Sequence, residues 1–171
     1  MKKGYILIMA TLLTALSASA QHNDINRTTV KSIDIDRYMG RWYEIARFDH
    51  SFERDLEYCE TFYSLQDDGT ITVTNTGIKS RTERRKTSYG KAKSGDAPGQ
   101  LRVSFFWIFY SDYNILALDE DYEWALVGSK SPKYLWILSR TRRLDQTTKN
   151  EILDIAKSRG YDTSKLIWVK Q

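Results

Sequence analysis

From Gly40 to Ser139, apolar and polar residues alternate in short runs, and each run is closed by turn chemistry. Alternation with a period of two argues for strands buried on one face. Asp67-Asp68-Gly69-Thr70 is a hairpin signal between the runs 58–66 and 71–77. Ser94-Gly95-Asp96-Ala97-Pro98-Gly99 separates the run 87–93 from 100–106. Asp119-Glu120-Asp121 and Gly128-Ser129-Lys130-Ser131-Pro132 divide the next three runs. Strands spaced so regularly and joined by short turns predict an all-β, antiparallel, up-and-down domain. The period changes after Asp145. Ile152, Ile155, Ala156 and Arg159 fall on one face of a helix that Asp145 can cap and Gly160 can end in a left-handed conformation. A final strand is predicted at Lys165–Val169. A single amphipathic helix must lay its stripe on the outside of the sheet, where Tyr43 and Ile45 are the candidate contacts.

The first twenty residues read as a segment apart from the fold. Lys2 and Lys3 precede an apolar run, Tyr5–Leu16, too short to span a bilayer comfortably, and Ala18-Ser19-Ala20 has small-residue cleavage spacing. Residues 1–20 are therefore expected as a cleaved signal peptide, 21–34 as a loose polar arm, and 35–171 as one domain. Removing the signal lowers the net charge from +4 to +2, because two lysines leave and no acid does. That is too mild a charge to argue for nucleic acid. The single cysteine, Cys59, cannot form an internal disulfide, and the two histidines, His22 and His50, form no metal cluster. No metal or other cofactor is expected. Nucleophile elbows, phosphate loops and zinc spacings are absent from the sequence, and the reading is a binding protein without a catalytic residue.

Three motifs carry a resemblance to a known family. Gly40-Arg41-Trp42 opens the first strand, Asp119-Glu120-Asp121-Tyr122 forms a late acidic turn, and Arg140 follows the strand 134–139. In this order they resemble the lipocalins. The phrase 43–54, with 101–106 and 134–141, is similar to the bacterial, apolipoprotein D-like subgroup. The resemblance covers about residues 35–169. It implies a closed eight-stranded β-barrel with the helix packed outside. In such a barrel, successive turns alternate between ends. Trp42, the turns 67–70, 94–99 and 119–122, and Arg140 then share one end. The loops 49–57, 78–86, 107–112 and 129–133 share the other.

This topology yields three groups of candidate residues. At the closed end, Gly40, Trp42, Asp121, Tyr122 and Arg140 are structural, with the Arg140 guanidinium stacked on Trp42. Inside, alternation and the resemblance point Glu44 and Ala46 inward from the first strand. Thr61, Tyr63, Val73, Asn75, Gly90, Ala92, Leu101, Val103, Phe105, Ile115, Ala117, Tyr134 and Trp136 complete the lining. An eight-stranded barrel holds either a side-chain core or one ligand, and the small residues Ser88, Gly90 and Ala92 favour a cavity. Glu44, a carboxylate in an apolar tube, needs a partner, for which Tyr63 and Asn75 are candidates. At the open mouth, Arg84, Arg85, Lys86 and Lys130 flank the aromatic loop of Trp107 and Tyr110, a pairing suited to an anionic amphiphile or an anionic membrane surface.

The resemblance implies a carrier of fatty acids or lysophospholipids in bacterial envelope lipid handling, periplasmic or secreted. No cysteine stands after the small residues to take a lipid anchor. Two alternatives remain open. Cys59 faces the interior, like the catalytic thiol of lipocalin-type prostaglandin D synthase. The loop 106–110 could instead serve as a contact for a protein partner or a homodimer.

Overall fold

In the computed structural model, which describes residues 25–106 and 109–171 apart from the Phe106 side chain, eight antiparallel strands follow one another up and down. They are β1 (Gly40–Phe48), β2 (Leu56–Leu65), β3 (Ile71–Lys79), β4 (Arg85–Ser94), β5 (Gln100–Phe106), β6 (Phe109–Leu118), β7 (Trp124–Gly128) and β8 (Leu135–Ser139). β1 pairs with both β2 and β8, so the sheet closes on itself. A ninth strand, β9 (Leu166–Trp168), lies outside and pairs with the upper part of β1. The expected signal segment 1–20 and Trp107 lie outside the described residues.

β1 changes partners along its length. Gly40–Tyr43 pair with β2, whereas Ala46–Phe48 pair with β9. Where β1 and β2 part, the chain end bridges them. Gln171 Nε2 donates to the Glu44 and Cys59 carbonyls, each at 2.7 Å, and the Tyr58 N–H donates to the Lys170 carbonyl.

Bulges correct the strict alternation expected from sequence. The register shifts between Glu44 and Ala46, and again between Ile115 and Ala117. One extra residue turns the following side chains to the opposite face. Ala46 and Ala117, expected in the lining, therefore pack in the outer cluster, and Arg47 turns inward. A further shift between Glu57 and Glu60 places Tyr58 at φ 51°.

Two apolar clusters result. The outer one joins Ile45, Leu116, Leu126, Leu135 and Ile137 to Ile152 and Ala156 of α2 (Gln146–Ser158). Asp145 caps α2 by accepting from the Thr148 N–H, and Gly160 follows at φ +91°. The inner cluster fills the lower barrel with Trp42, Tyr63, Ile71, Val73, Leu101, Ile115 and Leu138. A four-residue helix, α1 (Ile35–Tyr38), capped by Asp34, carries Tyr38 beneath the barrel into this cluster. The arm is docked from Ile25 onward. Asn26 and Val30 N–H groups donate to the carbonyls of Arg159 and Ile115, and Arg159 returns bonds to the Asn26 and Thr28 carbonyls. Arg159 thus anchors the arm instead of extending the apolar stripe of α2.

Candidate functional site

The closed end is built around Trp42. Its indole N–H donates to the Tyr38 carbonyl at 2.8 Å, and the Arg140 guanidinium lies 3.8 Å above its ring. The remaining Arg140 donors reach the carbonyls of Arg41, Arg37 and Tyr122 at 2.6–3.2 Å. Gly40 sits at φ +90°, where a side chain is strained. Tyr122 accepts from the Asp34 N–H, and Arg37 stacks on its ring. The carboxylate of the acidic turn is Asp119, which accepts from the Asp121 and Glu123 N–H groups, whereas Asp121 itself is exposed. The floor is therefore sealed by one cation and a ring of backbone carbonyls.

Above the floor, the inward-facing residues change character with height. Trp42, Ile71, Val73, Ala92, Leu101, Ile115 and Leu138 are buried to within 4%. One or two rows higher, Thr61, Asn75, Ser88, Gly90, Val103, Tyr134 and Trp136 keep partial accessibility, and Phe105 is 38% exposed. These residues line the upper half of the barrel, a cup that is less enclosed than the floor. Gly90 leaves less room than expected. A Cβ there would lie 2.8 Å from the Phe105 ring and 2.7 Å from the Ser104 carbonyl, so the ring occupies the space. Two clefts of about 370 and 380 Å³ lie elsewhere, beside Ile33 and the β4–β5 turn and on the outer wall at Arg41 and Arg142. Both are open to solvent outside the barrel and lack the apolar enclosure that a small-molecule site requires.

One wall of the cup is ionic. Glu44 does not meet Tyr63 or Asn75. The Tyr63 hydroxyl donates to Tyr113, which also bonds Tyr38, and Asn75 Oδ1 has no bond among the described residues. Glu44 instead pairs with Arg47 at 2.5 Å, which the bulge has turned inward. Arg47 also donates to the Glu53 and Leu56 carbonyls and so draws the β1–β2 loop over the rim. Glu53 then accepts from the Trp136 indole at 3.1 Å and lies 2.9 Å from His50 Nε2. The His50 ring stacks on Phe52 at 3.9 Å and contacts Tyr134 and Trp136.

The guanidinium is thus paired with the Glu44 carboxyl group, while the Glu53 carboxylate meets His50 and Trp136. Burial, and then the charge of Glu53, push the Glu44 carboxyl up to about 8. Burial also pushes Glu53 up, but His50, Trp136 and Arg47 together outweigh it and hold that group below its usual range. Near neutral pH, Glu44 accordingly keeps a proton while Glu53 is ionised. Sequence reading missed Arg47, His50 and Glu53. The dense charge of the segment 47–57 was the available signal, but a loop's path across a mouth leaves no period to read.

A family model described as a lipocalin-like domain matches residues 33–171. The chain is a lipocalin. Relatives include the outer membrane lipoprotein Blc of Escherichia coli, 49% identical over 84% of this chain and 82% of that protein. Temperature-induced lipocalin-1 of Arabidopsis thaliana is 38% identical over 80% of this chain and 78% of its own length. Mouse apolipoprotein D is 32% identical over 82% and 78%. Among solved structures, insecticyanin from Manduca sexta superposes with a TM-score of 0.70 over 84% of this chain and 83% of its own. At 19% identity, that likeness speaks for the fold alone.

In this lipocalin Cys59 faces inward but is enclosed, 4% exposed, with Sγ 3.9 Å from Arg47 Nη1 and packed against Gly77. Burial pushes the thiol well above its usual range, and Glu44 and Glu53 add to this. A protonated, enclosed thiol is a poor nucleophile. Native Cys59 is expected to react with a water-soluble maleimide at least roughly a hundredfold more slowly than the denatured chain. A native rate near the denatured one would reopen the thiol chemistry. At the mouth, Arg84, Arg85 and Lys130 are exposed, whereas Lys86 turns back to donate to the Phe52 carbonyl. Tyr110 lies under Lys93 at 4.8 Å, lower on the barrel than a rim position.

Proposed function

We propose that this lipocalin binds one amphiphile per barrel, of the fatty acid or lysophospholipid class, and carries it in the bacterial envelope without a covalent step of its own. The observation that carries the reading is the change in accessibility with depth. A tightly buried apolar floor gives way to a less enclosed upper half walled by Val103, Phe105, Tyr134 and Trp136, with polar groups at Thr61, Asn75 and Ser88. Apolar enclosure with a few placed polar groups holds a chain and orients its head. The relatives named as outer membrane lipoproteins support an exported carrier. We infer a periplasmic or secreted protein, in which the one cysteine of the sequence is buried in β2.

Titration with oleic acid and with an oleoyl lysophospholipid, followed by tryptophan fluorescence, tests this reading. Saturation at one ligand per barrel is expected. Ser88→Trp and Thr61→Phe, each in the accessible half, are expected to weaken binding by roughly tenfold or more while keeping the parent's circular dichroism. Ala92 is unsuitable for such a test, because it is 1% exposed and a larger side chain there would overpack the floor. Unsaturable binding, or two folded variants that bind like the parent, would remove the cup as the site.

A further inference from the structure

The open end gathers exposed cations without acidic partners. On the barrel wall and helix several basic groups meet acids or rings, although Lys91, Arg102 and Arg143 do not among the described residues. Arg41 pairs with Glu60, Lys157 with Asp154, Lys165 with Asp162 and Lys170 with Glu57, while Arg142 lies over Tyr43. At the open end, Arg81, Arg84 and Arg85 of the β3–β4 hairpin and Lys130 and Lys133 of the β7–β8 loop are exposed. None has an ion pair among the described residues.

The acids at this end are largely neutralised. Asp49 binds Arg54 at 2.6 Å, Glu57 binds Lys170, and Glu53 points into the cup. Asp55 on the β1–β2 side and Glu83 within the β3–β4 hairpin remain exposed without an ion pair among the described residues, two acids against five such cations. The free charge of the rim is thus positive and lies on the β3–β4 and β7–β8 sides.

Two large apolar side chains stand among these cations. Phe109, at the foot of the β5–β6 hairpin, is 75% exposed, and Phe52, in the β1–β2 loop, is 50% exposed. Phe52 and the basic hairpin form one unit, because Lys86 Nζ donates to the Phe52 carbonyl at 2.7 Å and the Ser80 N–H donates to the Asp55 carbonyl. Unpaired cations around protruding rings match a surface that is anionic outside and apolar a few ångströms in. A protein partner would need acids and a pocket at matched positions, whereas a bilayer offers both everywhere.

We propose that the open end of the barrel docks on an anionic phospholipid bilayer, held by the β3–β4 hairpin charges and by the rings of Phe52 and Phe109. Docked in this way, the cup faces the lipid and an amphiphile passes between them without crossing water. That consequence rests on the cup being the binding site, but the docking itself does not.

Co-sedimentation of the purified protein with vesicles of phosphatidylcholine, alone or mixed equally with phosphatidylglycerol, provides the test. Binding is expected only to the anionic vesicles and is expected to weaken with salt, since these exposed charges act within a Debye length of about 8 Å. Arg81→Glu with Arg84→Glu is expected to reduce the partition coefficient by at least roughly tenfold. Phe109→Ser is expected to reduce it at low and high salt alike, because its contribution is burial.

Oleate affinity in vesicle-free solution is measured on the same variants, so a failed cup and a failed docking surface give different results. Equal binding of the parent to both vesicle types, or an unchanged partition in the charge-reversed variant, overturns the proposal. It is also overturned if Phe109→Ser dissociates a dimer seen by light scattering while vesicles capture nothing, because the rim would then be a contact between two copies.

Discussion

Trp42→Ala is expected to lower the unfolding free energy by about 3–5 kcal/mol, the range for deleting a core aromatic. Trp42 is fully buried at the barrel floor, and its loss strands both the Tyr38 carbonyl it caps and the guanidinium stacked above it. Arg140→Ala is expected to cost about 2 kcal/mol, because three carbonyls lose a charged donor but stay close enough to the surface to be hydrated. In a double-mutant cycle the two losses should fall short of additivity by about 1 kcal/mol, the contribution of the stacked pair. Strict additivity in urea unfolding would mean that the guanidinium acts only through its carbonyls.

The second large effect is on the pH dependence of stability. The Glu44 carboxyl titrates near 8 in the folded protein, mainly through burial, against 4.5 when unexposed to the fold. Its folded value is raised, so the proton favours the folded state. The associated stability is complete below about 4.5, declines as the pH rises, and is gone above about 8. Across that window the decline is about 1.4 kcal/mol per pH unit at most. Glu53 is shifted the other way, and its contribution is lost only as the pH falls below the ordinary carboxylate range.

Glu44→Gln keeps the shape and a hydrogen-bonding oxygen for Arg47 while removing the titration. It is expected to flatten the melting profile between pH 5 and 8 and to exceed the parent's stability at pH 8 and above. Parallel profiles for parent and variant would show that Glu44 is already ionised with Arg47. Arg47→Met is expected to destabilise by about 3–5 kcal/mol at pH 8, because the buried Glu44 carboxyl then lacks its cation and the Glu53 and Leu56 carbonyls lose a charged donor.

Much of the barrel was legible because its signals are local. Turn pairs such as Asp68-Gly69 mark hairpins, and period-two runs mark one buried face. Asp145 and Gly160 bracket the one segment with helical spacing. The four-residue helix at Ile35 was missed, since one turn is too short to show a period. Trp42 and Arg140 were readable as a pair only through a family pattern, because nothing in the 97 positions between them states that they meet.

The lining was legible only as far as strict alternation held. The bulges at Glu44–Ala46 and Ile115–Ala117 sent Ala46 and Ala117 outward and brought Arg47 in. A bulge is one residue unpaired by its neighbour strand, so it exists only once two distant segments are in register. Gly90 illustrates the same limit. Its small size reads as space, yet the Phe105 ring fills that space from the adjoining strand.

By itself, the sequence determined an all-β chain with one outer helix, its turns and its caps, because those depend on contacts within a few residues. Tertiary structure alone decided which strand residues face the cup and how the arm and chain end are tied down. It also decided that Glu44, Arg47, Glu53 and His50 form one buried network and that the rim's cations are left unpaired. These features depend on register, loop path and desolvation, which arise only when residues far apart in the chain are brought together.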